Sequence, residues 1–93
     1  MLKLIGNEIW RDGEKTGWIE GSHIFARDGR KLGYFQGNHI FDYNAVKVAY
    51  IEDGYLHGED GNMKIELDEI EEKIEGGVLP VITKCAVYVL LGD

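Results

Sequence analysis

The stretches GWIEGSHIFARDG, GYFQGNHIFDYNA and AYIEDGYLHGEDG begin at Gly17, Gly33 and Ala49, so one pattern recurs without a gap every 16 residues. Trp18, Tyr34 and Tyr50 share a column, as do Ile19, Phe35 and Ile51, and Ile24, Ile40 and Leu56. A shorter copy precedes them: Gly6, Asn7, Ile9 and Trp10 match Gly21, Ser22, Ile24 and Phe25 after one deletion. Four copies thus cover residues 2–65. A unit this short cannot bury its apolar face alone, so neighbouring copies must do it for one another.

Each copy carries two turn signals about eight residues apart, which leaves room for strands of four to six residues but not for a helix of three turns. One series is Gly6-Asn7, Gly21-Ser22, Gly37-Asn38 and Asp53-Gly54; the other is Asp12-Gly13, Asp28-Gly29, Asn44-Ala45 and Asp60-Gly61. Nearly all are pairs that accept positive φ, as two-residue hairpin loops require, and Ala45 is the exception. Two-residue loops place Phe35 opposite Ile40 and Tyr34 opposite Phe41, and likewise Phe25 opposite Leu32 and Ile24 opposite Gly33. One face then gathers Leu4, Ile9, Ile19, Ile24, Phe35, Ile40, Ile51, Leu56 and Ile65, with Gly17, Gly33 and Ala49 between them. The other gathers Trp10, Trp18, Phe25, Leu32, Tyr34, Phe41, Val48 and Tyr50.

A sheet with one wet face alternates apolar and polar residues; here both faces are apolar, so the sheet is covered on both sides, curls on itself or meets another copy. The C-terminal third supplies one cover. Within residues 66–75, Leu67, Ile70 and Ile74 recur at helical spacing, Asp68 and Glu71 resemble a capping pair, and Gly76-Gly77 ends the run. Residues 80–91 read as an apolar helix after Pro80, placing small Cys85 and Ala86 over Gly17, Gly33 and Ala49; a buried strand is the alternative. The expected fold is mainly β (α+β): a meander of four hairpin repeats, eight or nine strands, with one or two C-terminal helices packed on it.

With 93 residues the chain has one domain around one modest core. The net charge is −7, and residues 66–75 hold six acids to one lysine while the cations are scattered, which disfavours nucleic acid. Cys85 is the only cysteine, so no intrachain disulfide and no zinc site of several thiolates can be built. No signal-like or membrane-spanning apolar run is present, so no membrane role and a cytoplasmic location are expected. His23 and His39 share a column, but a whole strand lies between them, about 10 Å of separation, too far for two ligands of one zinc. Ser22 lies in a turn, Cys85 in an apolar segment, and no glycine loop leads from a strand into a helix. No catalytic residue, cofactor or metal site is therefore expected.

The remaining candidates are aromatic: Trp18, Phe25, Tyr34, Phe41 and Tyr50, a possible ligand or partner surface. TGWIEGSHIFARDGRKLGYF, residues 16–35, resembles the choline-binding repeat of cell-wall proteins, which implies Trp18, Phe25 and Tyr34 as walls of a cage for a quaternary ammonium. LGYFQGNHIFDYNAVKVAY and the ending AVYVLLGD resemble small bacterial tandem hairpin-repeat proteins of unknown function, which implies the fold and no recognised active site. The function expected is a non-catalytic protein-interaction or self-association module with a protein partner or a second copy. A small-ligand binder is the alternative, and a small enzyme is third.

Overall fold

Turn chemistry cuts the chain into short strands. A computed structural model describes residues 2–92, and in it these strands form one ten-stranded sheet. They are β1 (Leu2–Ile5), β2 (Glu8–Arg11), β3 (Glu14–Glu20), β4 (His23–Ala26), β5 (Lys31–Gln36), β6 (His39–Asp42), β7 (Lys47–Glu52), β8 (Tyr55–Gly58), β9 (Lys64–Glu66) and β10 (Ile74–Glu75). Two helices, α1 (Leu67–Lys73) and α2 (Val81–Leu91), complete the chain. The first nine strands form an antiparallel meander, and β10 adds beside β1 in parallel. The chain is therefore mainly β with two packed helices, and the sheet has ten strands where eight or nine were expected.

The short even strands carry the centre of the core. Their second residues, Ile9, Ile24, Ile40 and Leu56, are each fully buried, one from each copy. The same backbone bond also joins successive copies: the N–H groups of Ile19, Phe35, Ile51 and Leu67 donate to the carbonyls of Asn7, Ser22, Asn38 and Gly54 at 2.7–3.0 Å. The repeat in sequence is thus a fourfold repeat in space.

The second turn series differs from the two-residue expectation. Gly29 and Ala45 donate to the carbonyls of Ala26 and Asp42, and Ala26 and Asp42 in turn donate to those of Arg30 and Val46, which closes three-residue loops over residues 27–29 and 43–45. Phe25 therefore faces Lys31, not Leu32, yet Ile24 still faces Gly33 because the register shifts between them. Leu32 is the extra, bulged residue; Val48 and Thr16 take the same place opposite β6 and β2. Leu32 and Val48 consequently pack against the core instead of joining the aromatic face. The fourth copy solves the same length differently, with a longer loop closed by Gly58 N–H to the Met63 carbonyl and no shift between β8 and β9.

Bulges raise local twist and bend a strand, so three of them, 16 residues apart, curl the sheet. Laid flat, ten strands would span about 43 Å, whereas the longest extent of the molecule is 31 Å. One short helix confirms the curl: α1 leaves β9 at one edge and enters β10 at the other, although seven residues of helix advance only ~10 Å.

The stop of the first helix is also a correction. The expected helix at 66–75 ends at Lys73, and Ile74 and Glu75 become strand, because fully buried Ile74 pairs with Leu2. Asp68 does not cap: Glu66 holds the N-cap position without a side-chain bond, and Glu71 accepts from Lys84 Nζ at 3.4 Å. The second helix resolves the alternative left open for residues 80–91 in favour of helix, with Pro80 at the N-cap.

Helix α2 seals the concave side. Five consecutive residues, Thr83 to Val87, are buried, so this half of the helix is surrounded on all sides. The far end lies over the glycines: a methyl on Gly17 would meet Leu91, and one on Gly33 would meet Leu90. Cys85 and Ala86, expected there, are not the residues that fill those gaps. The Arg11 guanidinium donates to the Leu91 carbonyl at 2.5 Å, giving a partner to a C-terminal carbonyl that the helix itself leaves free.

Ala45 sits at φ +64°, the place that Gly29 fills at +91° in the preceding copy. Left-handed backbone costs a residue with a Cβ about 1–2 kcal/mol, and glycine's extra chain entropy gives part of that back. Ala45→Gly is expected to stabilise the fold by about 0.5–1 kcal/mol. Urea unfolding checks it: the midpoint should rise with an unchanged slope.

Candidate interaction surface

With α2 on the concave face, the repeat presents its aromatic residues on the outside. Strand pairing sets Trp18 opposite Phe25, Tyr34 opposite Phe41 and Tyr50 opposite His57. The three pairs stack with ring centroids 5.3, 4.8 and 5.0 Å apart and planes within 8°, 10° and 17°. Those separations are close to the ~4.8 Å between neighbouring strands, so the rings stand upright from the sheet with their edges outward. All six are half-buried.

Lysines fill the spaces between the stacks. Lys15 faces Trp10 and lies 5.8 Å over the Trp18 ring; Lys31 faces Phe25 and lies 5.2 Å over Tyr34. In the next copy Lys47 faces Phe41 but turns its ammonium to Glu59 at 4.0 Å, and Lys64 faces His57 and lies 4.4 Å over Tyr55. Three of the four copies therefore write ring, ring, lysine across three strands, and the shorter first copy reads Lys3, Trp10, Lys15. A cation over a ring face gains about 0.5–1 kcal/mol at exposed sites, and it also occupies that face.

Four of the five expected surface residues, Trp18, Phe25, Tyr34 and Phe41, form two complete stacks, and the fifth, Tyr50, pairs with His57. Neither His57 nor the lysines were singled out from sequence. The signal was present: Lys15, Lys31 and Lys47 stand 16 residues apart, and His57 follows Phe25 and Phe41 in column. A quaternary-ammonium cage needs rings inclined around a gap. These rings are parallel and in contact, which leaves no gap within a stack.

The other polar candidates remain apart. Glu20 pairs with His23 and Gln36 with His39 across their turns, and His23 and His39 neighbour Tyr34 and Tyr50 on the next strands. His23 Nδ1 is buried without a hydrogen-bond partner. Among the described residues no group of three or more His, Cys, Asp or Glu is placed to hold a metal ion. Glu8 is held below the usual carboxylate range, first by the hydrogen bond from Lys15 and then by that from the Trp10 indole. Burial, with a smaller push from the Glu71 charge, raises the Cys85 thiol to about 12, which keeps it protonated and unreactive at neutral pH.

Two concavities lie at the rims of the sheet. A depression of about 480 Å³ between Gly6, Asn7, Ile19 and residues 77–79 has no ionisable group among its lining residues. Another, of about 370 Å³, lies between Lys3, Ile5, Trp10 and Glu75. No helix among the described residues is long and apolar enough to cross a membrane.

A curled meander of equivalent hairpins, closed on its concave side by a helix and carrying one aromatic-lysine row per copy, defines a hairpin-repeat β protein. Residues 10–73 match the family described as 4-fold beta flower protein, and the chain belongs to that family. The matched stretch runs from the end of β2 through α1 and so takes in the repeats but not α2. No curated protein and no solved structure matches the chain.

Proposed function

We propose that the chain is a non-catalytic interaction module, acting in the cytoplasm, whose outer aromatic belt is its contact surface for a protein partner or a second copy. One observation carries this reading. The inner face is sealed by the chain's own helix, whereas the equally repeated outer face leaves half-buried rings in contact with solvent, with no described element over them. Protein interfaces enrich aromatic residues and deplete lysine, so the rows of rings, and not the ammonium groups between them, support this reading. The small-ligand alternative has less support, because stacked neighbours and lysine ammonium groups already occupy ring faces that a ligand cation needs.

A photo-crosslinking amino acid tests the surface directly in living cells. Placed at Gln36, exposed beside the belt, it is expected to give discrete protein adducts; placed at Tyr43, 70% exposed in the β6–β7 loop, it should give none. Equal labelling from both positions, or none from Gln36 in folded protein, would remove the reading.

A further inference from the structure

Helix α2 is held on the concave face mainly by fit: none of its residues is exposed, and it lies beyond the family match, which ends at residue 73. Its side-chain polar ties run to other elements, from the Lys84 ammonium to Glu71 of α1 and from the Arg11 guanidinium to the Leu91 carbonyl. Residues 76–80 join the helix to β10. Gly76 and Gly77 take φ +88° and +82°, so the strap is left-handed at two successive residues. Beyond them Val78 is fully exposed, and Pro80 is extended at φ −57° and ψ 152° and disfavours helical backbone at Leu79. A Cβ on Gly77 would have room, since its nearest neighbour would be 3.7 Å away; only the backbone conformation opposes a side chain there.

We infer that residues 76–80 are a hinge through which α2 exchanges between two copies, each concave face being closed by the other copy's helix. The fold itself names the occupant. α2 is the segment whose fit to this face is seen, and the helix of a second copy is identical to it, which makes exchange of this element a low-cost route to a dimer. The swapped dimer keeps the contacts of α2, the Lys84–Glu71 pair and the Arg11–Leu91 bond included, now made between chains. Only the hinge and the loss of a free molecule then distinguish the two states. The closed chain needs left-handed backbone at both glycines, whereas a straightened hinge needs it at neither. Extended, five residues reach about 17 Å, most of the 20 Å that the molecule measures across its shortest extent. The inference goes beyond the reading of the aromatic belt and uses none of its residues.

Refolding at two concentrations tests it. Full-length wild type is unfolded in urea, refolded at a few micromolar and at several hundred micromolar, and sized by sedimentation. Beside it stand Gly77→Ala and a variant with four Gly-Ser residues inserted after Val78, each checked for folding by circular dichroism. The wild type is expected to give dimer only at the high concentration. Gly77→Ala should raise the association constant about tenfold or more, because each dimer relieves two left-handed backbones that carry a Cβ. The longer linker should stay monomeric, since it closes on its own sheet without strain. After dilution the dimer should separate no faster than a thiol reagent labels Cys85, because both events need α2 to leave its face. A wild type that is monomeric at every concentration, a folded Gly77→Ala that does not favour the dimer, a dimer that separates faster than Cys85 is labelled, or an insertion variant that dimerises like the wild type overturns the inference. The adducts expected at Gln36 are unaffected by any of these results.

Discussion

Gly17→Ala is expected to cost about 3 kcal/mol, near the upper end of what overpacking a fitted core does. The new methyl would collide with the carbonyl oxygen of Phe25 on the paired strand and press on Leu91 of α2. The carbonyl is backbone, so relief requires the hairpin itself to move. For a domain of this size such a loss lowers the melting temperature by more than ~12 °C. The fourth copy shows what relief looks like. Ala49 carries a methyl in the same column and is fully buried, and the residue facing it is Gly58; in the second copy the order is reversed, with Gly17 facing Ala26. Each of these two rungs thus holds one methyl. The double variant Gly17→Ala/Ala26→Gly is expected to recover part of the loss, because a glycine at 26 frees the backbone next to the obstructing Phe25 carbonyl to swing away. Thermal melts of the two variants decide it, and equal destabilisation would show that the column tolerates glycine for a reason other than the facing rung.

The same rung explains how much of the fold was legible. Around Gly37-Asn38 the sequence reading is the observed register, with Phe35 on Ile40 and Tyr34 on Phe41, because the glycine takes φ +60° and no residue is left over. Between Ile24 and Gly33 eight residues admit two solutions, a two-residue loop with regular pairing or a three-residue loop with a bulge. Counting cannot separate them, since both return Ile24 to Gly33. What decides is local chemistry: Asp28 accepts from the Arg30 N–H and Gly29 supplies the left-handed position, the hydrogen-bond pattern of the longer loop. The deletion in the first copy has the same origin. Asp12 and Gly13, at φ +50° and +87°, form a true two-residue loop before the Thr16 bulge, one residue fewer than the next two copies use.

Other features depend on partners far along the chain and left no local trace. Ile74 follows Ile70 at helical spacing, and only the neighbouring Leu2 makes it strand. Leu90 and Leu91, not the small Cys85 and Ala86, cover Gly33 and Gly17, because a glycine gap facing a helix is filled by whichever long side chain the helix's axis brings over it. On the outer face the aromatic residues were visible in sequence as a stripe, but their lysine spacers become meaningful only once the bulge has moved Lys31 opposite Phe25. Curvature and surface therefore come from one device: the extra residue that bends the sheet also sets a cation between successive ring pairs.

Cys85 makes the fold sensitive to alkali. Its thiol is fully buried and pushed up to about 12, by burial first and by the Glu71 charge second, whereas in the unfolded chain it titrates near 9.0. Above that value the unfolded state releases a proton that the folded state keeps, so stability falls as pH rises, by up to ~1.4 kcal/mol per pH unit, until the folded thiol itself ionises. Allowing for solvent screening, the loss attributable to this one group is about 2 kcal/mol at pH 11. Cys85→Ala is expected to unfold at somewhat lower urea than the wild type at pH 7 and to lose much less between pH 9 and 11, so the two curves converge. Parallel curves would place the alkaline sensitivity elsewhere. The same burial predicts that a thiol reagent labels Cys85 at the rate of global opening, since Thr83 to Val87 have no exposed side and the thiol is reached only when α2 leaves the concave face.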